Sequence, residues 1–394
     1  MYTLVVLCVL GVRPLWADEL LQLSGAREGS WDALIRWAQV LPGGVPLPLV
    51  LQKLSILVFG WSNWAVRLPA ALFGIGAAIL FWRIARGSAA AVAMFLAMPM
   101  LFRYSTEGRM YSEALFFVLL CWWAQAHWVR VGAAVLAVYS SPFALFPLLA
   151  INPVAAVVAG GALLPWWLVQ RGVQAVQGST AVYQFAWGQL NPLLLLREFT
   201  GGGYWCGVSL LVLCGAGRRP TLRIVSISLV GPVLADAVAG YFFAVRQWLF
   251  ALPSLVLMAA EGVRVRLGVC VLGVFLVGAL AKDVRLTFFA AEDWGLAAQA
   301  LRQEVAGGAC LVVAPSSQLS YYTFYEPSLA GRGCGVGSAV LAVSPYTTAA
   351  EERAALGGAV VTKRVVVGTI RLLSFEKTPV GVGGALWRWR CRWQ

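Results

Sequence analysis

Long, continuous apolar segments dominate this chain and restrict the folds that it can adopt. Hydrophobic residues make up 60% of the 394 residues, and charged residues make up 12%. A soluble domain carries about twice that share of charged residues. The apolar runs are continuous rather than alternating, which favours membrane-spanning helices over a membrane barrel. The sequence therefore predicts a polytopic α-helical membrane protein.

The basic residues predict how the chain is oriented in the membrane. The net charge of +13 is spread over short loops between apolar runs, so we interpret it as topology and contact with anionic lipids, not as a nucleic-acid surface. Assigning Arg83, Arg130 and Arg264 to the cytoplasm satisfies the positive-inside rule. The predicted spans are then 2–16, 68–85, 89–102, 112–128, one or three crossings in 131–169, 203–217, 222–243, 247–262 and 267–281. The total is roughly 9–11 transmembrane helices, in a membrane module covering residues 1–285.

The first external loop, residues 17–66, is too polar at its start to span a membrane and too apolar to be a plain loop. Apolar residues recur at helical spacing between Trp31 and Ala38, which predicts an amphipathic helix on the membrane surface. A second helix is expected from Pro46 to Gly60. The alternative, a short transmembrane helix at 45–60, would move Arg67 to the other side of the membrane.

The composition changes after residue 285, where we expect a small external α/β domain at residues 286–394. Helices are predicted from Asp293 to Val305 and at 347–356, and strands at 310–314, 338–343 and 359–369. Its three cysteines, Cys310, Cys334 and Cys391, allow one disulfide.

Four polar positions fall together on the external face under this topology. They are the acidic pair Asp18-Glu19, then Arg67, then the run Arg103–Tyr111, and finally Arg246. An arginine at a helix end is usually an interfacial anchor, but carboxylates and arginines gathered at a membrane surface suit another chemistry. A carboxylate can deprotonate an acceptor hydroxyl or amine, while arginines hold a phosphate leaving group at the depth of a lipid headgroup.

The sequence does not firmly imply a cofactor. It has one histidine, His127, and no Asp-x-Asp motif, so a divalent metal is possible but unsupported. It also lacks the glycine-rich phosphate loops and the nucleophile elbow of soluble nucleotide-binding proteins and hydrolases.

The order of these motifs resembles bacterial glycosyltransferase family 39, which is related to protein O-mannosyltransferases and to aminoarabinose transferases that modify lipid A. The matching segments are Trp16–Leu20, Pro46–Leu49, Phe59-Gly60, Arg67–Gly74, Tyr104–Tyr111, Arg246–Leu249 with Leu252-Pro253, and Glu292–Trp294. The resemblance implies a GT-C fold and a polyprenyl-phosphate sugar donor. It departs from the family at Gly43–Pro46, where an acidic and a basic residue are usual, at Tyr139–Ser141, and at Gly108.

Carried over by position, the resemblance implies roles for eight residues. Asp18 would be the general base and Glu19 its neighbour in the acceptor site. Arg67 would contact the donor phosphate, with Arg109 and Arg246 as further phosphate-binding candidates. Tyr104, Glu107 and Tyr111 would line the same cavity.

The leading hypothesis is therefore an inverting glycosyltransferase of the inner membrane, with its active site and C-terminal domain on the external, periplasmic side. Its partners would be a polyprenyl-phosphate sugar, membrane lipids and a glycan, lipid or protein acceptor, and not a nucleic acid. The alternatives are a transporter or flippase of lipid-linked saccharides, or a non-catalytic membrane scaffold.

Overall fold

A computed structural model describes residues 2–27, 29–41, 44–177, 199–200, 203–216, 221–239, 244–263, 266–288, 292–314, 316–330, 337–345 and 347–377. These residues belong to two compact units. The first comprises Met1–Arg13 and Asp18–Phe289, and the second comprises Pro14–Ala17 and Ala290–Gln394.

All regular secondary structure in the described residues of the first unit is helical. Its α-helices are α1 (Tyr2–Val9), α2 (Ala17–Ala26), α3 (Trp31–Val40), α4 (Pro46–Phe59), α5 (Asn63–Ile84), α6 (Ala89–Leu96), α7 (Pro99–Ser105), α8 (Tyr111–Trp123), α9 (His127–Ser140), α10 (Leu145–Ile151), α11 (Pro153–Gln177), α12 (Tyr204–Ala216), α13 (Leu222–Ala239), α14 (Leu252–Gly262) and α15 (Arg266–Phe288). Short 3-10 turns at Pro142–Ala144 and Val245–Ala251 precede α10 and α14.

Three helices of the described residues are long and apolar enough to cross a membrane. They are α5, the Pro153–Val173 part of α11 and the Leu267–Arg285 part of α15. Large apolar side chains such as Val157, Leu267 and Val277 are exposed on the last two, as expected for surfaces that face lipid. The predicted total of 9–11 spans remains a prediction.

Helix α5 lies at the centre of the site-bearing half of this unit and packs against α4, α7 and α8. Pro69 lies inside α5, and because proline has no N–H, it cannot donate to the carbonyl oxygen of Ala65. The buried Ser55 hydroxyl of α4 donates to that oxygen at 2.6 Å instead. Gln52 of α4 similarly donates to the carbonyl oxygen of Val66 at 3.2 Å. Polar side chains of α4 thus donate to carbonyl oxygens of α5 near Pro69 and join the two helices.

The two helices expected in the first external loop are present as α3 and α4. The apolar residues that predicted an amphipathic helix in α3 pack largely against protein: Leu34 and Ala38 form a buried cluster with Leu49 of α4. Gln170 of α11 donates to the carbonyl oxygens of Leu41 and Gly44 at 2.8 and 2.9 Å. These bonds link α11 to the residues that follow α3.

The second unit is a small α/β unit with helices α16 (Trp294–Ala306), α17 (Leu319–Tyr325) and α18 (Ala349–Leu356). Its strands are β1 (Cys310–Ala314), β2 (Gly337–Val343), β3 (Val361–Val367) and β4 (Ile370–Lys377). The sheet order is β1-β2-β4-β3, with β1 and β2 parallel and the other pairs antiparallel.

Most of the predicted elements of this unit are confirmed. Asp293 caps α16 by accepting from the Leu296 N–H at 2.9 Å, and β1 and β2 occupy the expected residues. The third strand is shorter than expected, and α17 and β4 were not predicted. Cys310 is disulfide-bonded, while Cys334 and Cys391 lie outside the described residues.

Candidate active site

A fully buried ion pair organises the first unit around the acidic motif. Glu19 of α2 and Arg67 of α5 are 0% and 1% exposed, respectively. The Arg67 Nε and Nη2 atoms donate to the two Glu19 carboxylate oxygens, each at 2.7 Å. The backbone N–H of Gly108 also donates to Glu19, at 2.6 Å. One carboxylate therefore joins α2, α5 and the turn between α7 and α8.

The remaining contacts of Arg67 explain its burial. Its Nη1 atom donates to the carbonyl oxygens of Leu10 and Arg13, both at 2.8 Å, so the guanidinium also holds the segment after α1. Arg67 was expected to contact a donor phosphate, but its Nε and Nη1 hydrogens are used inside the protein. This geometry favours a structural role for the Glu19–Arg67 pair over direct contact with substrate.

Gly108 stands where the resembling family usually has alanine, and local packing accounts for the difference. A Cβ atom at Gly108 would lie 3.0 Å from Gln52 Nε2 and 3.0 Å from Val66 Cγ1. These distances are shorter than ordinary contacts, so glycine allows the turn to approach α4 and α5 closely enough for its N–H to reach Glu19.

Asp18, the neighbour of Glu19, points into a more accessible and strongly basic environment. Its Oδ2 atom lies 3.0 Å from Arg246 Nη1 and 3.7 Å from Arg109 Nη2. The Arg109 Nη1 atom donates to the Asp18 carbonyl oxygen at 2.9 Å. The Asp18 and Arg246 side chains are each 28% exposed, and that of Arg109 is 12% exposed. Asp18 is thus the carboxylate of the acidic pair that a substrate can reach.

The arginines also determine the protonation state of Asp18. Burial by itself would raise the pKa of this carboxyl, but the positive charges of Arg109, Arg246 and Arg103 outweigh it. The pKa is therefore held below its usual value. Asp18 is ionised throughout the physiological pH range.

The rest of the polar run adds a second carboxylate–arginine pair and two aromatic rings. Arg103 Nε donates to Glu107 Oε1 at 2.8 Å, with the Glu107 side chain 4% exposed. The rings of Tyr104 and Tyr111 lie 4.5 Å apart. Arg246 lies 5.9 Å from the Tyr111 ring centre, within range of a weak cation–π contact.

Two donors and one acceptor in this cluster lack partners among the described residues. Within the described part of the chain, the buried Nε atoms of Arg109 and Arg246 have no hydrogen-bond partner, and neither does Glu107 Oε2. Unsatisfied buried donors are costly, so such groups require an explanation. Both unsatisfied Nε–H groups belong to the two arginines that flank the Asp18 carboxylate.

All eight residues singled out from the sequence lie in this part of the first unit. Each of them contacts another member of the set or shares a contacting residue with one. Sequence reasoning did not assign a role to Arg103 or Arg13, although Arg103 stands four residues before Glu107, the spacing of a helical ion pair. Arg13 donates to Thr106 Oγ1 at 3.1 Å. Arg13 falls within the predicted span 2–16 and was given no role there. Among the described residues, no group of three or more His, Cys, Asp or Glu side chains is arranged to hold a metal ion.

Comparison with known proteins identifies the fold. No protein-family model and no curated protein sequence matches the chain. Two crystal structures of ArnT from Cupriavidus metallidurans are similar to it, one in the apo state with a TM-score of 0.54 and one bound to undecaprenyl phosphate with a TM-score of 0.52. Each shares 14% sequence identity, and each match covers 94% of this chain and 96% of the ArnT chain. The chain therefore shares the fold of these ArnT structures along nearly its whole length.

Proposed function

We propose that this chain is an integral-membrane glycosyltransferase that moves a sugar from a polyprenyl-phosphate donor to an acceptor on the external face of the inner membrane. The observation that carries the proposal is the accessible Asp18 carboxylate between Arg109 and Arg246, whose Nε–H groups lack partners among the described residues. A base beside an anion-binding pair is what a direct transfer from a phosphate requires.

The fold supports the same donor class. The similar ArnT structure was solved with undecaprenyl phosphate bound. The long apolar helices of this chain would accommodate a lipid tail next to the arginine cluster, with the phosphate at the level of the polar residues. The disulfide at Cys310 supports an oxidising, extracytoplasmic location for the second unit.

The reaction needs one base and one phosphate site. Asp18 removes the proton of the acceptor hydroxyl or amine as this group attacks the anomeric carbon. Arg109 and Arg246 stabilise the charge that develops on the departing phosphate. Direct displacement inverts the anomeric configuration and forms no covalent enzyme intermediate.

The other polar residues position Asp18 and the phosphate-binding arginines. Glu19 and Arg67 hold α2 against α5 and the turn at Gly108, so that Asp18 and Arg109 face each other. Arg103, Glu107, Tyr104 and Tyr111 form the wall of the cavity. Arg67 acts as a positioning residue in this proposal and does not touch the phosphate.

The test compares membrane lipids and glycans from cells with and without the gene by mass spectrometry. Without the gene, one acceptor is expected to lack one sugar, and the polyprenyl-phosphate sugar that donates it is expected to accumulate. Wild-type protein should restore the transfer, whereas an Asp18→Asn variant present at the same level should fall short by about 10²–10⁴-fold. Transport alone deprotonates no acceptor hydroxyl or amine, so full restoration by Asp18→Asn would favour a flippase and refute the proposed transferase.

A further inference from the structure

The two arginines assigned to the donor phosphate already share a counter-ion within the protein. A single oxygen, Asp18 Oδ2, lies 3.0 Å from Arg246 Nη1 and 3.7 Å from Arg109 Nη2. Arg109 is further held through its bond to the Asp18 carbonyl oxygen. The carboxylate that would act as base therefore also neutralises the phosphate site.

Two anions that use the same guanidiniums oppose each other. A phosphate bound by both Arg109 and Arg246 would lie only a few ångströms from the Asp18 carboxylate, because Asp18 Oδ2 is itself 3.0 and 3.7 Å from their guanidinium nitrogens. At an effective dielectric constant of about 20 and a separation of about 6 Å, repulsion between unit charges corresponds to a factor of about 100 in a binding constant. Sharing of the arginines reduces this factor, so a value of about 10–100 is expected.

We propose that Asp18 and the lipid phosphate compete for Arg109 and Arg246, so that the base of the reaction also expels the polyprenyl-phosphate product. The inference rests on the proposed function and extends it to product release. The ionised carboxylate lowers the affinity of the site for phosphate, and a neutral Asp18 side chain raises it.

The reaction itself switches Asp18 between these two states. As the acceptor oxygen or nitrogen bonds to the anomeric carbon, its proton passes to the Asp18 carboxylate. The bond between the anomeric carbon and the phosphate oxygen breaks, and its electron pair stays on that oxygen. Asp18 is neutral at this moment and the phosphate has gained negative charge, so both arginines pass to the leaving group.

Loss of the proton then reverses the competition. The exposed part of Asp18 allows its proton to pass to water, after which the recharged carboxylate draws Arg109 and Arg246 back and the product phosphate loses its partners. The other charged or titratable groups around Asp18 either carry a fixed charge or are engaged in pairs of their own. These groups are Arg103, Glu107, Tyr104 and Tyr111.

The experiment measures the dissociation constant of undecaprenyl phosphate for the full-length protein in detergent, by calorimetry. Asp18→Asn removes the charge with little change in shape and should bind undecaprenyl phosphate about 10–100-fold more tightly than wild type. Asp18→Glu keeps the charge and should stay within about threefold of wild type. Glu107→Gln is the matched control, because it removes an equal charge from the carboxylate that pairs with Arg103, and it should tighten binding much less than Asp18→Asn.

Two outcomes would overturn the inference. Unchanged or weaker binding by Asp18→Asn, in protein that elutes as a single folded species, would mean that Asp18 organises the arginines rather than competing for them. If Glu107→Gln tightened binding equally, the affinity for undecaprenyl phosphate would depend on the net charge of the whole site and not on the arginines that Asp18 shares. If Asp18→Asn does not fold, Asp18→Ser provides the same comparison. Failure of the proposed function would look different, because wild type would then not bind undecaprenyl phosphate or binding would not depend on Arg246.

Discussion

Replacing Glu19 with glutamine should destabilise the protein far more than the same change at its neighbour Asp18. Glu19→Gln leaves the Arg67 guanidinium buried without a counter-charge and weakens the two 2.7 Å bonds between the side chains. Breaking a buried ion pair by removing one partner costs about 3–5 kcal/mol. At about 2 °C per kcal/mol for a large domain, the unfolding midpoint should fall by about 6–10 °C.

The assay is thermal unfolding in detergent, followed by tryptophan fluorescence, with Asp18→Asn as the matched control. Asp18 is 28% exposed, so its replacement should lower the midpoint much less than Glu19→Gln. A double variant, Glu19→Gln with Arg67→Met, removes both charges and should unfold no earlier than the less stable single variant, rather than showing the sum of both losses.

Two results would refute this reasoning. Equal midpoints for Glu19→Gln and Asp18→Asn would mean that the buried pair does not organise the site. An Arg67→Met variant that keeps the wild-type midpoint but loses undecaprenyl-phosphate binding would show that Arg67 contacts the phosphate, as the family resemblance implied, and not only the protein.

Three further predictions concern the phosphate site, the base and the carbonyl oxygen of α5 that Pro69 leaves without a backbone donor. Arg246→Ala should weaken undecaprenyl-phosphate binding about 10–100-fold in a calorimetric titration, because a charge-assisted hydrogen bond contributes about 1.5–3 kcal/mol. An unchanged dissociation constant would exclude Arg246 from the phosphate site. The lowered pKa of Asp18 keeps the base ionised until the pH falls through that pKa, so kcat/KM should show no loss attributable to Asp18 near neutral pH. Arg246→Gln removes an opposing charge and raises the pKa of Asp18, so the acid limb of the pH profile should move to higher pH. An unshifted acid limb would contradict the assignment of Asp18 as the base. Ser55→Ala should lower the free energy of unfolding by about 1–3 kcal/mol, because the Ala65 carbonyl loses its donor. Adding Pro69→Ala restores a backbone N–H and should recover most of that loss. No recovery in the unfolding midpoint would disprove the link between Ser55 and Pro69.

The sequence singled out the candidate site residues because charged residues are rare in this chain. Asp18, Arg109 and Glu107 stood out as charged groups beside apolar runs, and the positive-inside rule assigned them to one face. The order of motifs predicted a GT-C fold, and comparison showed that the chain shares the fold of two ArnT structures. Composition and pattern were sufficient at this level because a membrane chain has few positions where charge is tolerated.

The pairing of these residues was not predictable in the same way. Successive helical residues point in directions about 100° apart, so Asp18 and Glu19 had to differ in environment. Only the tertiary arrangement shows that Glu19 meets Arg67, 48 residues later, while Asp18 meets Arg246, 228 residues later. The apolar periodicity of α3 likewise gave no indication that Leu34 and Ala38 would pack against Leu49 of α4.

The most direct test of the account is the release of polyprenyl phosphate from a polyprenyl-phosphate sugar by the purified protein. Donor and acceptor lipids or glycans extracted from native membranes would be incubated with wild type or Asp18→Asn, and polyprenyl phosphate would be quantified by mass spectrometry. The account predicts release by wild type and its loss by about 10²–10⁴-fold in Asp18→Asn, although that variant still binds undecaprenyl phosphate. Release by Asp18→Asn at the wild-type rate, or none by folded wild type, would contradict it.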